Sequence, residues 1–570
     1  MNQFHQGKVI PFVQNAEFYM KRGAKKMERN DLLAALNRYR QAFLAAPNDT
    51  EPCLAVSEIL SQMQRYEESN RILLLMMSMG NGTPECYFGL ACNYFGMQEY
   101  DYAVDSLENY LDVDPDGPFA LDAEDFLDFI DDDAAMFEAT GLRSDADFDD
   151  SAACLFAKNL MNSGDIPGAI DELRRQLEIS PESAQVQNQL SLAYFCNGEY
   201  ARALALTEEA LKNDPKDVMA RCSLSLCKSH AGQHDEAIRE LRTAEEDATG
   251  TPEELMNLSA LQLEYELYTD AEDTLQLLVQ QMPYDENVLH RMGYCAYMLG
   301  KFADAQECYK RLLLINPRDT VAKYYLLQSR KTGVDEKGIR AHWMIAYQVP
   351  FSETFRRLNQ LNRYLSLTKE ELLSAWEKEP HFQDLMIWGL TLPEARVKKS
   401  ILSLLFSFGN EQAQMLMRDF LLHTDQPDDL KRVVFGMLKQ LNAKEPYMAY
   451  LNGQWICGKV NMMEFQYKLP SSYDNIVQLL LQYMVGVREE ECVTASAKIY
   501  GRYIESLHQN FPRISDTQQL SMAAALELLG CKQCGTEVSE SEIEQAYRIS
   551  GTRLHNALSK LEPFVEEPEK

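Results

Sequence analysis

Residues 87–115 read "YFGLACNYFGMQEYDYAVDSLENYLDVDP". Two runs of helical apolar spacing flank the polar break at Met97–Glu99, and Pro115 closes the second run. Small residues at Ala91 and Ala103 let two helices approach, the larger Tyr87, Leu90, Tyr94, Leu107 and Tyr110 fill the space around them, and proline stops the second helix. The same frame recurs. Ala35, Ser69 and Ala103 form one series, and Ala169, Ala203, Ala237, Ala271 and Ala305 form another, each with a spacing of 34 residues. Twelve residues further on, Pro47, Pro115, Pro181, Pro215, Pro283 and Pro317 mark the same place in six of the eight units, with Asn81 and Thr249 in the other two.

This pattern resembles the tetratricopeptide repeat, a pair of antiparallel helices. Tyr87, Leu90, Ala91, Tyr94, Ala103, Leu107, Tyr110 and Pro115 fall on its eight consensus positions, and "LHRMGYCAYMLGKFADAQECYKRLLLINP" (289–317) supplies Leu289, Met292, Gly293, Ala305, Tyr309, Leu312 and Pro317. The resemblance covers about residues 16–330 and implies an all-α solenoid of seven to eight repeats. Strong units lie at 16–49, 84–117, 184–217 and 286–319, and degenerate ones at 50–83 and 252–285. A solenoid of this kind has a concave face lined by first helices, which holds an extended or helical peptide of a partner. Carried onto this chain, the family's groove positions are Phe88, Cys92 and Phe95, then Lys158, Asn188 and Phe195, then His290, Tyr294 and Tyr297. Lys158 and Asn188 do not complete the Lys/Asn set with which some relatives clamp a terminal carboxylate.

The stretch "DVDPDG" (112–117) opens like an EF-hand loop, with alternate carboxylates Asp112, Asp114 and Asp116 before Gly117. The twelfth position, which should supply a bidentate glutamate, is Ala123, and Pro115 occupies the fourth. The repeat frame accounts for the motif instead, with aspartates flanking a helix-stop proline in an inter-repeat turn. No metal or other cofactor is expected.

The chain of 570 residues carries a formal charge of −32, unevenly spread. Residues 331–570 hold 27 basic against 31 acidic side chains, leaving 28 against 56 in the first 330, and residues 101–150 hold 18 acidic residues with only Arg143 against them. Such a field repels phosphate backbones and steers basic partners inward. Hydrophobic residues make up 46% and charged residues 25%, which is the composition of folded material. The 13 cysteines are scattered at core-like positions and the N-terminus lacks a signal-peptide pattern, so a reducing, cytoplasmic setting is expected.

Between the two series, Ala103 to Ala169 spans 66 residues rather than 68. Residues 118–149 fill this place as an acidic insertion; the helical spacing of Phe119, Ala123, Phe126, Leu127 and Ile130 favours an inserted helical pair over a hinge. The sequence therefore divides into a lead-in (1–15), a first array (16–117), the insertion (118–149), a second array (150–335), a helical region resembling HEAT pairs (336–489) and a C-terminal helical module (490–570). One β-hairpin is expected at "MAYLNGQWICG" (448–458), where Asn452-Gly453 is a type I′ turn signal. Cys531 and Cys534 form a CxxC without a second pair for zinc and without a redox context. Residues of about 490–565, on the run "LSMAAALELLGCKQCGTEVSESEIEQAYRISGTRLHNALSKLEPF" (520–564), resemble the closing helices of a cyclin-box fold or a helix-turn-helix, with Arg553, His555 and Lys560 on the second helix.

No phosphate loop, HExxH or GxSxG occurs, so a non-enzymatic protein is expected. The reading is a scaffold or adaptor binding a peptide or helix with a basic or apolar segment. The alternative is a transcription-associated regulator whose 490–570 module meets DNA or polymerase.

Overall fold

The computed structural model describes residues 15–46, 49–140, 150, 153–158, 160–161, 164–330, 343–451, 454–458, 469–484, 487–488, 490–508, 510–536 and 538–565. Among the described residues the fold is all-α apart from one antiparallel hairpin, Tyr447–Leu451 with Gln454–Gly458. Its register pairs Leu451 with Gln454, so the connection has two residues; Asn452 and Gly453 themselves lie outside the described residues. Two compact units are present. One comprises Met1–Lys25, Arg38–Ala120 and Leu358–Lys570, and the other Lys26–Asn37 and Leu121–Arg357.

In the second unit, four complete helix pairs stack in order. First helices are Ala184–Cys196, Val218–His230, Pro252–Glu264 and Glu286–Met298; second helices are Tyr200–Asn213, His234–Asp247, Tyr268–Gln281 and Phe302–Ile315. Each first helix is capped by a side chain at the same place. Ser183, Asp217, Thr251 and Asp285 accept from the amides of Val186, Ala220, Glu254 and Val288, satisfying donors that a helix start otherwise leaves bare. Each turn between helices bends through one left-handed residue, Gly198, Gly232, Glu266 or Gly300.

The small residues of the 34-residue frame are the contact points. Ala169, Ala203, Ala237, Ala271 and Ala305 are buried, and where the facing first helix carries serine its hydroxyl is used: Ser191 Oγ donates to Ala203 O at 3.1 Å and Ser225 Oγ to Ala237 O at 2.8 Å. Gly293 serves the same position in the last pair, and a Cβ there would come within 2.9 Å of the Tyr309 ring.

In the first unit the pairs Thr50–Gln62 with Tyr66–Ser78 and Glu85–Gly96 with Tyr100–Val113 follow the same plan, with Gln64 and Gln98 left-handed in the turns. Ser57 and Ser69 hydroxyls meet at 2.7 Å, and Asn93 Nδ2 donates to Ser69 Oγ and Asn70 Oδ1, both at 2.8 Å. Asp114 caps the C-terminus of Tyr100–Val113, which places "DVDPDG" in an inter-repeat turn. The insertion begins as the helix Ala120–Thr140, with Ala123 and Ile130 buried and Leu121 and Phe129 exposed; residues 141–149 lie outside the described residues.

The C-terminal part of this unit has one continuous core running from Leu361 to Leu561, taking residues from both sides of position 490 and centred on Trp376, Phe382, Phe435, Tyr447, Tyr473 and Tyr500. The repeat helices pack on it. Arg418, 4% exposed, donates to Ser78 O at 2.5 Å, to Pro446 O at 3.2 Å and to Lys444 O, and its guanidinium lies 5.2 Å from the Tyr447 ring centre. Arg71 reaches the His423 ring, and Lys444 Nζ donates to Gly80 O at 3.4 Å. Ser539 caps Glu540–Tyr547, accepting from Glu542 N; the following helix is Gly551–Leu561, capped at Ser550 and beginning one residue before Thr552. No helix among the described residues is long and apolar enough to cross a membrane.

Candidate partner-binding groove

The first helix of the last complete pair, Glu286–Met298, carries His290, Tyr294 and Tyr297 on one face, because positions three and four apart share a side of a helix. All three are buried, at 0%, 7% and 6% exposure. What covers them is the chain's own segment 343–350, "WMIAYQVP", which is neither helix nor strand. Trp343 stacks on Tyr297 with ring centres 4.0 Å apart and planes at 15°, and it meets Tyr325 at 4.9 Å and the edge of Tyr309 at 5.8 Å. Such offset and edge contacts suit the quadrupoles of aromatic rings.

Polar contacts hold the backbone of the segment. His290 Nε2 donates to Met344 O at 2.9 Å while Nδ1 accepts from Tyr309 OH at 3.1 Å, which fixes the neutral tautomer. Tyr325 OH accepts from Met344 N at 3.2 Å and donates to Gln348 O at 2.8 Å. Tyr347 OH donates to Asp319, whose other oxygen caps Thr320–Arg330 through the amides of Val321 and Ala322. Burial drives the His290 pKa down to about 4 and raises the Tyr309 and Tyr325 hydroxyls.

The other expected groove residues lie apart from this cluster. Phe88 stacks on Phe119 at 4.7 Å and touches Tyr110, so the residues that follow its own repeat cover it. Asn188 Nδ2 donates to Asp217 Oδ2 at 2.9 Å, joining one repeat to the cap of the next. Lys158 is exposed and Cys92 is half-buried. Phe195 is half-buried, edge-on to Tyr200 at 5.2 Å and to His230 at 5.7 Å, and Tyr200 stacks on His230 at 3.8 Å. One arrangement repeats: Phe95–Tyr100, Phe195–Tyr200 and Tyr297–Phe302 are all edge-to-face pairs with centres 5.2 to 5.6 Å apart. Each latches the end of a first helix to the start of its second. On the second-helix side, a cleft of about 490 Å³ is lined by Leu177, Leu190, Tyr194, Leu206, Arg174 and Arg202.

The sequence frame put His290, Tyr294 and Tyr297 on one helix face, and the structure brings Trp343 and Tyr347, which the frame did not single out, against them. The available signal was an aromatic pair four residues apart in a stretch without helical periodicity, close after an aromatic first helix. Cys531 is buried beside Cys492, which together with desolvation raises its pKa to about 12, and Cys534 is half-buried. Among the described residues no group of three His, Cys, Asp or Glu side chains could hold a metal ion.

The tetratricopeptide repeat profile matches residues 184–217 and 286–319. A TPR repeat-containing protein of Bacillus subtilis, YvcD, is 27% identical over 243 residues, 42% of this chain and 48% of the relative. The human protein O-mannosyl-transferase TMTC1 is 22% identical over 218 residues, 38% of this chain and 22% of the relative. The chain thus spans less than half the length of each of these curated relatives. Among solved structures, the Thermus thermophilus TPR protein TTC0263 aligns with 32% of this chain and 98% of its own at 14% identity and a TM-score of 0.27. YrrB, a TPR protein with an unusual peptide-binding site, aligns with 35% and 97% at 16% identity and a TM-score of 0.23. With its 34-residue frame, capped helix pairs and profile matches at 184–217 and 286–319, this chain carries tetratricopeptide repeats in an all-α fold.

Proposed function

We propose that this chain is a non-catalytic interaction scaffold that binds a peptide or helix of a partner along the first-helix face of its repeats. The observation that carries the reading is the aromatic face of Glu286–Met298, which holds a non-helical segment of the chain through ring stacking and through side-chain bonds to its backbone. Bonds of that kind recognise any main chain, while ring pockets select the side chains. Phe195, Lys158 and Asn188 are the further groove positions proposed to meet a partner, with Phe88 and Phe95 in the first array. The acidic first half, 56 acidic against 28 basic residues up to position 330, steers a partner with a basic segment. The setting proposed is the cytoplasm.

Affinity capture by the full chain, compared with Phe195→Ala and Lys158→Glu variants at two salt concentrations, tests this. Loss of the same proteins from both variants, and weaker capture at high salt, is expected. Equal recovery by all three chains at both salt levels would remove the reading. The runner-up is a regulator that meets nucleic acid through residues 490–570, where Arg548, Arg553, His555 and Lys560 are exposed around the Gly551–Leu561 helix. Salt-dependent DNA binding by the full chain, abolished by Arg553→Glu, would favour it.

A further inference from the structure

We infer that the groove of the last repeat is a binding site for a non-helical, bent peptide of the pattern Trp-x-x-x-Tyr, and that residues 343–350 occupy it in cis as a competitor of such a partner. The inference deepens the reading proposed above and rests on it. The occupant is defined by what sits there. Trp343 enters between Tyr297, Tyr325 and the edge of Tyr309, and four residues later Tyr347 reaches Asp319. His290 and Tyr325 hold main-chain groups of Met344, between these anchors, and Tyr325 also holds that of Gln348, just beyond the second, while Gln348 N bends back to Ala346 O. The segment carries no charged side chain, and the Asp319 carboxylate accepts a hydrogen bond from the Tyr347 hydroxyl.

Two features mark the segment as exchangeable rather than as one more core element. It is neither helix nor strand but bends through a bond from Gln348 N to Ala346 O, so an incoming chain that takes the same bend can replace the bonds named above. The indole N–H of Trp343 is also buried without an acceptor among the described residues, an unmet donor that a permanent cap would be expected to satisfy. A site filled in cis binds a ligand in trans only in proportion to its open fraction.

The test uses the full chain and a fluorescently labelled synthetic peptide, WMIAYQVP, read by anisotropy. The Trp343→Ala/Tyr347→Ala double variant is expected to bind the peptide at least about tenfold more tightly than the unaltered chain does, and a scrambled peptide is expected to bind neither. A folded double variant, with unaltered circular dichroism, that ignores the peptide would overturn the inference. Hydrogen exchange in the unaltered chain decides if the variant does not fold. Amides of 344–348 exchanging well before those of Glu286–Met298 support a displaceable segment, and exchange only with global opening of that helix refutes it. Failure here leaves capture through Phe195 and Lys158 standing, because that assay reads other repeats.

Discussion

Replacing Arg418 by methionine should loosen the first unit while sparing the second. The guanidinium serves the carbonyls of Ser78, Lys444 and Pro446, and among the described residues no carboxylate pairs with it. Methionine fills much of the volume but donates nothing, so one buried and two part-buried acceptors lose a charged donor. At about 1.5 kcal/mol each the loss is roughly 4.5 kcal/mol. Relief from keeping an unpaired cation buried, which already depresses the Arg418 pKa, returns about 1 to 2 kcal/mol. A net destabilisation of about 3 kcal/mol is expected, and Arg418→Lys, which can keep one of the bonds, should fall near half of it. A chain with two compact units need not unfold in one step, so the assay is hydrogen exchange resolved by peptide rather than a single melt. Protection should fall in Tyr66–Ser78 and Glu411–Leu422 and stay constant from 184 to 315. A change below about 1 kcal/mol, or an equal loss in both units, would refute the argument.

Three further outcomes can be checked by denaturant titration. The folded-state pKa of His290, near 4, lies below its ordinary 6.5, so above pH 6.5 the second unit is unpenalised. As the pH falls from 6.5 towards 4, the unfolded chain takes up a proton that the native state refuses; about 3 kcal/mol of stability should disappear in that window, and His290→Gln should flatten the dependence. Glu266 is exposed at φ 59°, where its repeat neighbours have glycine, so Glu266→Gly should stabilise by up to about 1 kcal/mol, with a loss of stability counting against the assignment. Gly293→Ala should cost about 1 to 3 kcal/mol, because the new methyl meets a Tyr309 ring held by His290 and packed against Trp343 and Tyr325; a neutral effect would mean that the ring can move aside.

The repeat frame was legible because each contact it encodes is local. Ala203 meets Ser191 in the same pair, Asp217 caps the helix it precedes, and Gly198 turns between neighbours, so the 34-residue period records them directly. The hairpin was legible for the same reason. The tie between Arg418 and Ser78 joins residues 340 positions apart, and no periodicity reports it. The groove was half legible. Position within the frame says that His290, Tyr294 and Tyr297 share a face, but what lies on that face is decided by a segment outside the frame, and Trp343 reads there as any apolar residue after the last helix. Phe95 and Phe195 each have an aromatic residue five positions on, a pairing open to inspection once the turn between the helices is counted.

The Ser78–Arg418 contact also sets an order of events during synthesis. A ribosome adds about 5 to 20 residues per second, so the 340 residues between the two take about 17 to 70 s to follow. The pairs between 184 and 315 find their packing partners as soon as the next helix emerges. The Tyr66–Ser78 helix meets Thr50–Gln62 and Glu85–Gly96 just as early, but the Ser78 carbonyl that receives Arg418 waits, solvated, until most of the chain has left the tunnel. That interval is when a chaperone has the most to hold, and when two nascent chains on one message are best placed to capture each other's missing half.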